Sequence, residues 1–173
     1  MTQVENRPNS FPCFSDEEYA RRYRAVRQAM EQQDVDALLI FGVRGSSEVH
    51  YLSNYLAQSP CWLLVPRDGE ATCFTHFFNH QPCAKAQSIL SDVRWYGPSP
   101  IPTLAEEIQR KALAKCRLGL VTMRSMPYGH VTELKRLLSE ADFVEFGSSF
   151  NQIRRIRSEE EIVDLRRSEF WPI

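Results

Sequence analysis

Apolar positions recur at helical spacing near the start of the chain. In EEYARRYRAVRQAMEQQ, Tyr19, Tyr23, Val26 and Met30 fall every three or four residues, and Ser15 stands three before Glu18, the spacing of a reciprocal helix cap. The segment predicts an amphipathic helix, with Arg21, Arg22, Arg24 and Arg27 on a solvated face among Glu17, Glu18 and Glu31. DVDALLIFG follows as a short apolar run closed by glycine, which predicts a buried strand. HYLSNYL and CWLLVP read as two more strands. Arg67-Asp68-Gly69-Glu70 joins CWLLVP to ATCFTHF, and Asp-Gly between two apolar runs predicts an antiparallel hairpin.

The remainder alternates. Residues 79–90 read as a helix, VRWYG as a strand, and Thr103 with Glu106 marks the start of a helix carrying Leu104, Ile108 and Leu113. RLGLVT is a strand. PYGHVTELKRLLSEA is a helix with Pro127 near its start and Val131, Leu134, Leu137 and Leu138 on one face, and DFVEFG is the last strand. Helices alternating with strands, plus one hairpin, predict a three-layer α/β domain: a mixed, mostly parallel sheet with helices on both faces. Beyond it, Ser158 and Glu161 repeat the capping spacing, and Ile162 and Leu165 supply an apolar edge to a helix too short to be stable alone. It reads as the opening of a longer element. The chain thus divides into an arm (1–14), a domain (15–157) and the opening of a further helix (158–173), a linker helix only by the resemblance that its residues carry.

At 173 residues there is room for one compact domain. A formal net charge of −1 gives no bulk attraction to nucleic acid or to an anionic membrane, so neither is expected as a partner. The opening MTQVENRPNSFPCF has no basic stretch leading into an apolar run, so no secretory leader is expected, and no segment reaches the length of a membrane span. The 5 cysteines are odd in number, scattered and without a CxxC pair, which predicts reduced thiols and a cytoplasmic setting.

Candidate chemistry is sparse. Gly42 and Gly45 follow a strand, but a dinucleotide fingerprint needs a third glycine and an immediate helix, so a structural turn is expected. His76, His80 and Cys83 have helical spacing for three zinc ligands. Yet Pro82 interrupts the segment and its first half belongs to the hairpin strand, so no metal site is assigned. Among the cysteines only Cys83, and Cys73 more loosely, has a histidine near in sequence, and inert thiols are expected. Ser46-Ser47 and Asp34 with Asp36 read as a loop and the approach to a strand. No catalytic residue emerges.

Three segments in order carry a resemblance. FSDEEYARRYRAVRQAMEQQDVDALLIF is similar to the opening of the creatinase, prolidase and Xaa-Pro aminopeptidase family. VHYLSNYLAQSPCWLLVPRDGEATCF looks like that family's Tyr-Leu-Thr-Gly-Tyr segment with its Leu-Leu-Val-Pro strand and Gly-Glu hairpin. NQIRRIRSEEEIVDLRRS resembles its Arg-x-Ile-Lys-Ser-x-x-Glu-Ile junction. The terminal SEFWPI departs from the family, which continues the helix with Ala-rich turns.

The resemblance implies the family's N-terminal domain, of ribonuclease H-like fold, without catalytic residues of its own. It implies a pita-bread catalytic domain beyond the junction, with a pair of divalent ions (manganese, cobalt or zinc) held there by two Asp, one His and two Glu. No cofactor is expected in this chain. The family's N-terminal domain helps form a homodimer and walls the entrance for a small peptide substrate. The matching entrance positions are His50, Tyr51, Asn54 and Tyr55, where a His and a Tyr at a strand end would contact a carboxylate or peptide carbonyl. Tyr51 and Leu52 equally suit a core. Asn54 stands where the family has glycine, which Asn imitates in a left-handed conformation. Two alternatives share the scaffold: a non-enzymatic interaction module, as in the large subunit of the FACT histone chaperone, and a relative acting on a small molecule such as creatine, an ectoine derivative or dimethylsulfoniopropionate.

Overall fold

A computed structural model describes residue 11 and residues 13–169 except 112 and 114, with the side chains of 167–169 left out. The arm before residue 11 and the last four residues of the terminal SEFWPI lie outside the described residues.

Helix α1 (Asp16–Gln32) leads into β1 (Ala37–Gly42), then α2 (Ser47–Ser53), β2 (Cys61–Pro66) and β3 (Thr72–Thr75). Next come α3 (Gln81–Gln87), β4 (Asp92–Trp95), α4 (Pro100–Arg110), β5 (Arg117–Leu120), α5 (Tyr128–Leu137) and β6 (Asp142–Glu145). Helices α6 (Gly147–Arg155) and α7 (Glu159–Glu169) close the described chain. The sheet has six strands in the order β4-β3-β2-β1-β5-β6. Strand β2 runs antiparallel to both neighbours, and the β3–β4, β1–β5 and β5–β6 pairs are parallel. The expected mixed, mostly parallel sheet with one hairpin is what forms.

Strand periodicity builds two cores. On β1, Leu38 and Ile40 face one side with Cys61, Leu63 and Val65 of β2, under Val26 and Met30 of α1, Leu52 of α2, Ala84 of α3 and Phe150 of α6. Leu39 and Phe41 face the other with Trp62 and Leu64, under Ile101, Leu104 and Ile108 of α4 and Leu134 of α5. Because both faces are covered, all six residues of β1 and of β2 are buried, which is why those strands read as continuous apolar runs.

Two local readings are corrected. HYLSNYL is not a strand: Ser47–Ser53 form α2, with Val49, Tyr51 and Leu52 buried. Over seven residues an apolar run has no decisive period, so tertiary burial chooses. Helix α4 starts at Pro100, three residues before Thr103, whose hydroxyl donates to the carbonyls of Tyr96 (2.6 Å) and Ser99 (3.3 Å) instead of capping. Proline at the first helical position supplies the start through its preset φ. Helix α6 has no forecast in the sequence, since only Gly147 and Phe150 of it are buried.

Candidate functional site

Helix α2 ends at Asn54, in the left-handed region at φ 59°, where its amide donates to the His50 carbonyl at 2.9 Å. The Asn54 side chain is itself buried: Oδ1 accepts from the Tyr19 hydroxyl (3.0 Å) and Nδ2 donates to the Gln87 carbonyl (3.1 Å). That end of α2 is therefore pinned to α1 and α3. Asn54 thus adopts the conformation in which it imitates glycine, and its side chain does more than a glycine can.

Beside it opens a cleft of about 760 Å³. His50 and Asn54 form one wall, Phe11 and Phe14 another, and Glu160, Val163 and Asp164 of α7 the third, with Leu56 and Gln58 between. The four positions expected at an entrance thus separate. His50 and Asn54 line the cleft, whereas Tyr51 and Tyr55, 5% and 1% exposed, are part of the hydrophobic core. The reason is the helix: a strand would alternate its side chains across a surface, while α2 turns Tyr51 inward and His50 outward. Burial, and after it the positive charge of Arg22, push the His50 imidazole below its ordinary value, so it is a neutral donor and acceptor at pH 7. Burial pushes the Tyr55 hydroxyl up to about 12, so it does not ionise.

A buried ion cluster lies behind these walls. Arg22, expected on a solvated face, is 1% exposed. Its Nε donates to Glu18 (2.7 Å), Nη1 to the Tyr51 carbonyl (3.0 Å) and Nη2 to Glu161 (3.1 Å). Burial pushes the Glu18 carboxyl up, but hydrogen bonds from Arg21 and Arg22 outweigh it and hold the group down at about 2. Sequence carried a signal for Arg22: it lies three after Tyr19 and four before Val26, on the apolar stripe itself. The Ser158–Glu161 cap forms in both directions, at 3.1 and 3.0 Å. At the first helix only the Ser15 hydroxyl caps, accepting from the Glu18 amide (3.2 Å), while Ser15 itself donates from its amide and hydroxyl to Glu160 of α7 (2.8 and 2.7 Å).

The side chains weighed as zinc ligands go to separate partners. His76 meets the Tyr96 hydroxyl, His80 the Ser59 hydroxyl (3.1 Å), and the Cys83 sulfur accepts from Gln87 (3.2 Å). Among the described residues no three His, Cys, Asp or Glu side chains converge as a metal site. The buried carboxylates Glu18, Glu107 and Glu161 are each taken by arginines. Among the described residues none form the set of the dinuclear centre, which the resemblance places beyond the junction. Among the described residues no helix is long and apolar enough to cross a membrane.

The structure defines a three-layer α/β domain whose cleft is bounded by its own last helix. Residues 22–156 match the model of the creatinase/prolidase N-terminal domain, and the chain belongs to that family. It is 26% identical over 143 residues to the uncharacterized peptidase YqhT of Bacillus subtilis (strain 168), spanning 83% of this chain and 38% of that protein. The prolidase from Pyrococcus horikoshii OT3 superposes with a TM-score of 0.63 at 24% identity, over 83% of this chain and 37% of that one. The N-terminal domain of the cytoplasmic peptidase PepQ from Mycobacterium tuberculosis H37Rv superposes with a TM-score of 0.65 at 19% identity, over 78% of this chain and 98% of that one. At these identities the solved structures show a shared fold.

Proposed function

We propose that the chain acts as the non-catalytic N-terminal domain of a peptidase of the prolidase and Xaa-Pro aminopeptidase type, gating substrate access and contributing to a homodimer. The carrying observation is the cleft: the helix that, by resemblance, leads toward a catalytic half is also one wall of the cavity that His50 and Asn54 line. Apolar Phe14, Leu56 and Val163 beside polar His50, Asn54 and Gln58 suit a short peptide with an apolar side chain and free carbonyls. A cytoplasmic setting accords with the free thiols of Cys61, Cys73, Cys83 and Cys116, and PepQ is described as a cytoplasmic peptidase.

The test begins with the native mass of the protein in its source cells. A mass at least twice that of this chain, with turnover of Xaa-Pro dipeptides by that product and none by the 173-residue chain alone, is the expected result. Gating is then read from His50→Ala in the full product, which raises KM for longer peptides more than for dipeptides at little change in kcat. An equal effect on both lengths removes the gating role, and absence of peptide turnover removes the peptidase reading. Sedimentation of the same product reports the dimer.

A further inference from the structure

Of the described side chains of α7, only Glu161 is buried; Ile162, Val163 and Leu165 are 39%, 45% and 49% exposed. A helix that rests on a domain without a buried apolar stripe is held by something else. Here it is held by polar contacts: Ser15 donates to Glu160 at the exposed edge, and the buried contacts converge on Arg22. The Arg22 guanidinium binds its own helix through Glu18, the carbonyl of Tyr51 in α2, and Glu161 in α7. The rings of Phe14 (4.3 Å), Tyr51 (4.5 Å) and Tyr19 (5.1 Å) lie against it. Arg21 adds a longer contact to Glu161 at 3.3 Å.

Both distant partners adjoin the cleft. His50, immediately before Tyr51, lines it, as does Glu160, immediately before Glu161. Arg22 itself does not line the cleft, so it touches nothing that binds there. We infer that Arg22 is a positioning residue that clasps α7 to α2, so that one buried cation holds two walls of the cleft at their separation. A planar fork is required for this, because three bonds leave the guanidinium toward three elements within one plane; the ammonium of lysine, a compact point charge, cannot meet them together. The clasp is an inference about the cleft walls, and it stands whatever substrate the full protein takes.

The experiment is amide hydrogen exchange on the 173-residue chain and two variants, Glu161→Gln and Glu107→Gln. Glu107 is the control, a carboxylate as buried as Glu161 (side chains 4% exposed) and likewise held by arginines, but on the opposite core. The measured quantity is the exchange rate of amides 162–165 in α7 relative to those of β1. In Glu161→Gln this ratio rises tenfold or more over the wild type, while in Glu107→Gln it stays within threefold. A ratio that rises less than tenfold in Glu161→Gln, or that rises as much in Glu107→Gln, overturns the clasp. Arg22→Lys is the third variant, expected to reproduce the Glu161→Gln ratio; a wild-type ratio in it overturns the clasp, and Glu161→Gln decides where the lysine variant fails to fold, since α7 lies at the periphery.

Discussion

Replacing Asn54 by glycine sets a backbone gain against a side-chain loss. Asn54 is held at φ 59°, a conformation that costs an L-residue about 1–2 kcal/mol and glycine almost nothing. Backbone reasoning alone therefore predicts that Asn54→Gly stabilises the domain by up to about 1 kcal/mol, since Asn tolerates this region better than most residues. The structure predicts the opposite. Glycine leaves the Tyr19 hydroxyl without its acceptor and the Gln87 carbonyl without its donor, at a site only 4% exposed. Each such orphaned group costs about 1–3 kcal/mol, the lower end applying where the adjoining cleft admits water. Taking the lower end for both, the loss exceeds the gain by about 1–2 kcal/mol. For a chain of this length that lowers the midpoint by about 2–8 °C. Asn54→Ala suffers the same loss and keeps the backbone cost, so the wild type is the most stable, Asn54→Gly comes next and Asn54→Ala last. Thermal and urea unfolding of the three proteins measure it. A glycine variant as stable as the wild type or more so would refute the assignment of a load to the Asn54 side chain.

Three further outcomes follow from the same geometry. Glu18 is at about 2 when folded against an ordinary 4.5, so the unfolded chain takes up the proton first as the pH falls. Its contribution is complete above pH 4.5 and lost on the way down to 2; the urea midpoints of wild type and Glu18→Gln, well separated at pH 6, draw together over that window. A β-carbon at Gly147 would lie 2.2 Å from the Val121 carbonyl oxygen, whereas one at Gly129 of α5 meets nothing within 4 Å. Gly147→Ala costs about 1–3 kcal/mol by overpacking and Gly129→Ala gains up to about 1 kcal/mol of helix propensity, measured by denaturation. Burial raises the thiol of Cys61 to about 12 and holds that of Cys73 well above its ordinary value, while Cys83 is exposed. A thiol reagent at pH 8 labels Cys83 within minutes and reaches Cys61 and Cys73 only at the rate of unfolding.

Most of the framework was legible in the chain because its signals are local. The runs DALLIFG and CWLLVP are buried on both faces, so their composition alone announces strands, and Asp68-Gly69 announces the hairpin between β2 and β3. The Ser158–Glu161 spacing announced a cap that forms in both directions. What it did not announce is that the same Glu161 carboxylate also meets Arg22, 139 residues away in sequence.

The sequence by itself determined the family, the two-sided sheet and the order of most helices and strands. These depend on neighbours within a few residues, where apolar period, capping spacing and conformational preference act. Only the tertiary structure decided that HYLSNYL is helical, that His50 faces a cleft while Tyr51 and Tyr55 fill a core, and that Arg22 is buried rather than solvated. Each of those outcomes is set by what packs against the residue from a distant segment. A seven-residue apolar run takes whichever conformation buries it best, and an arginine is buried when distant carboxylates and a carbonyl together replace the water it gives up.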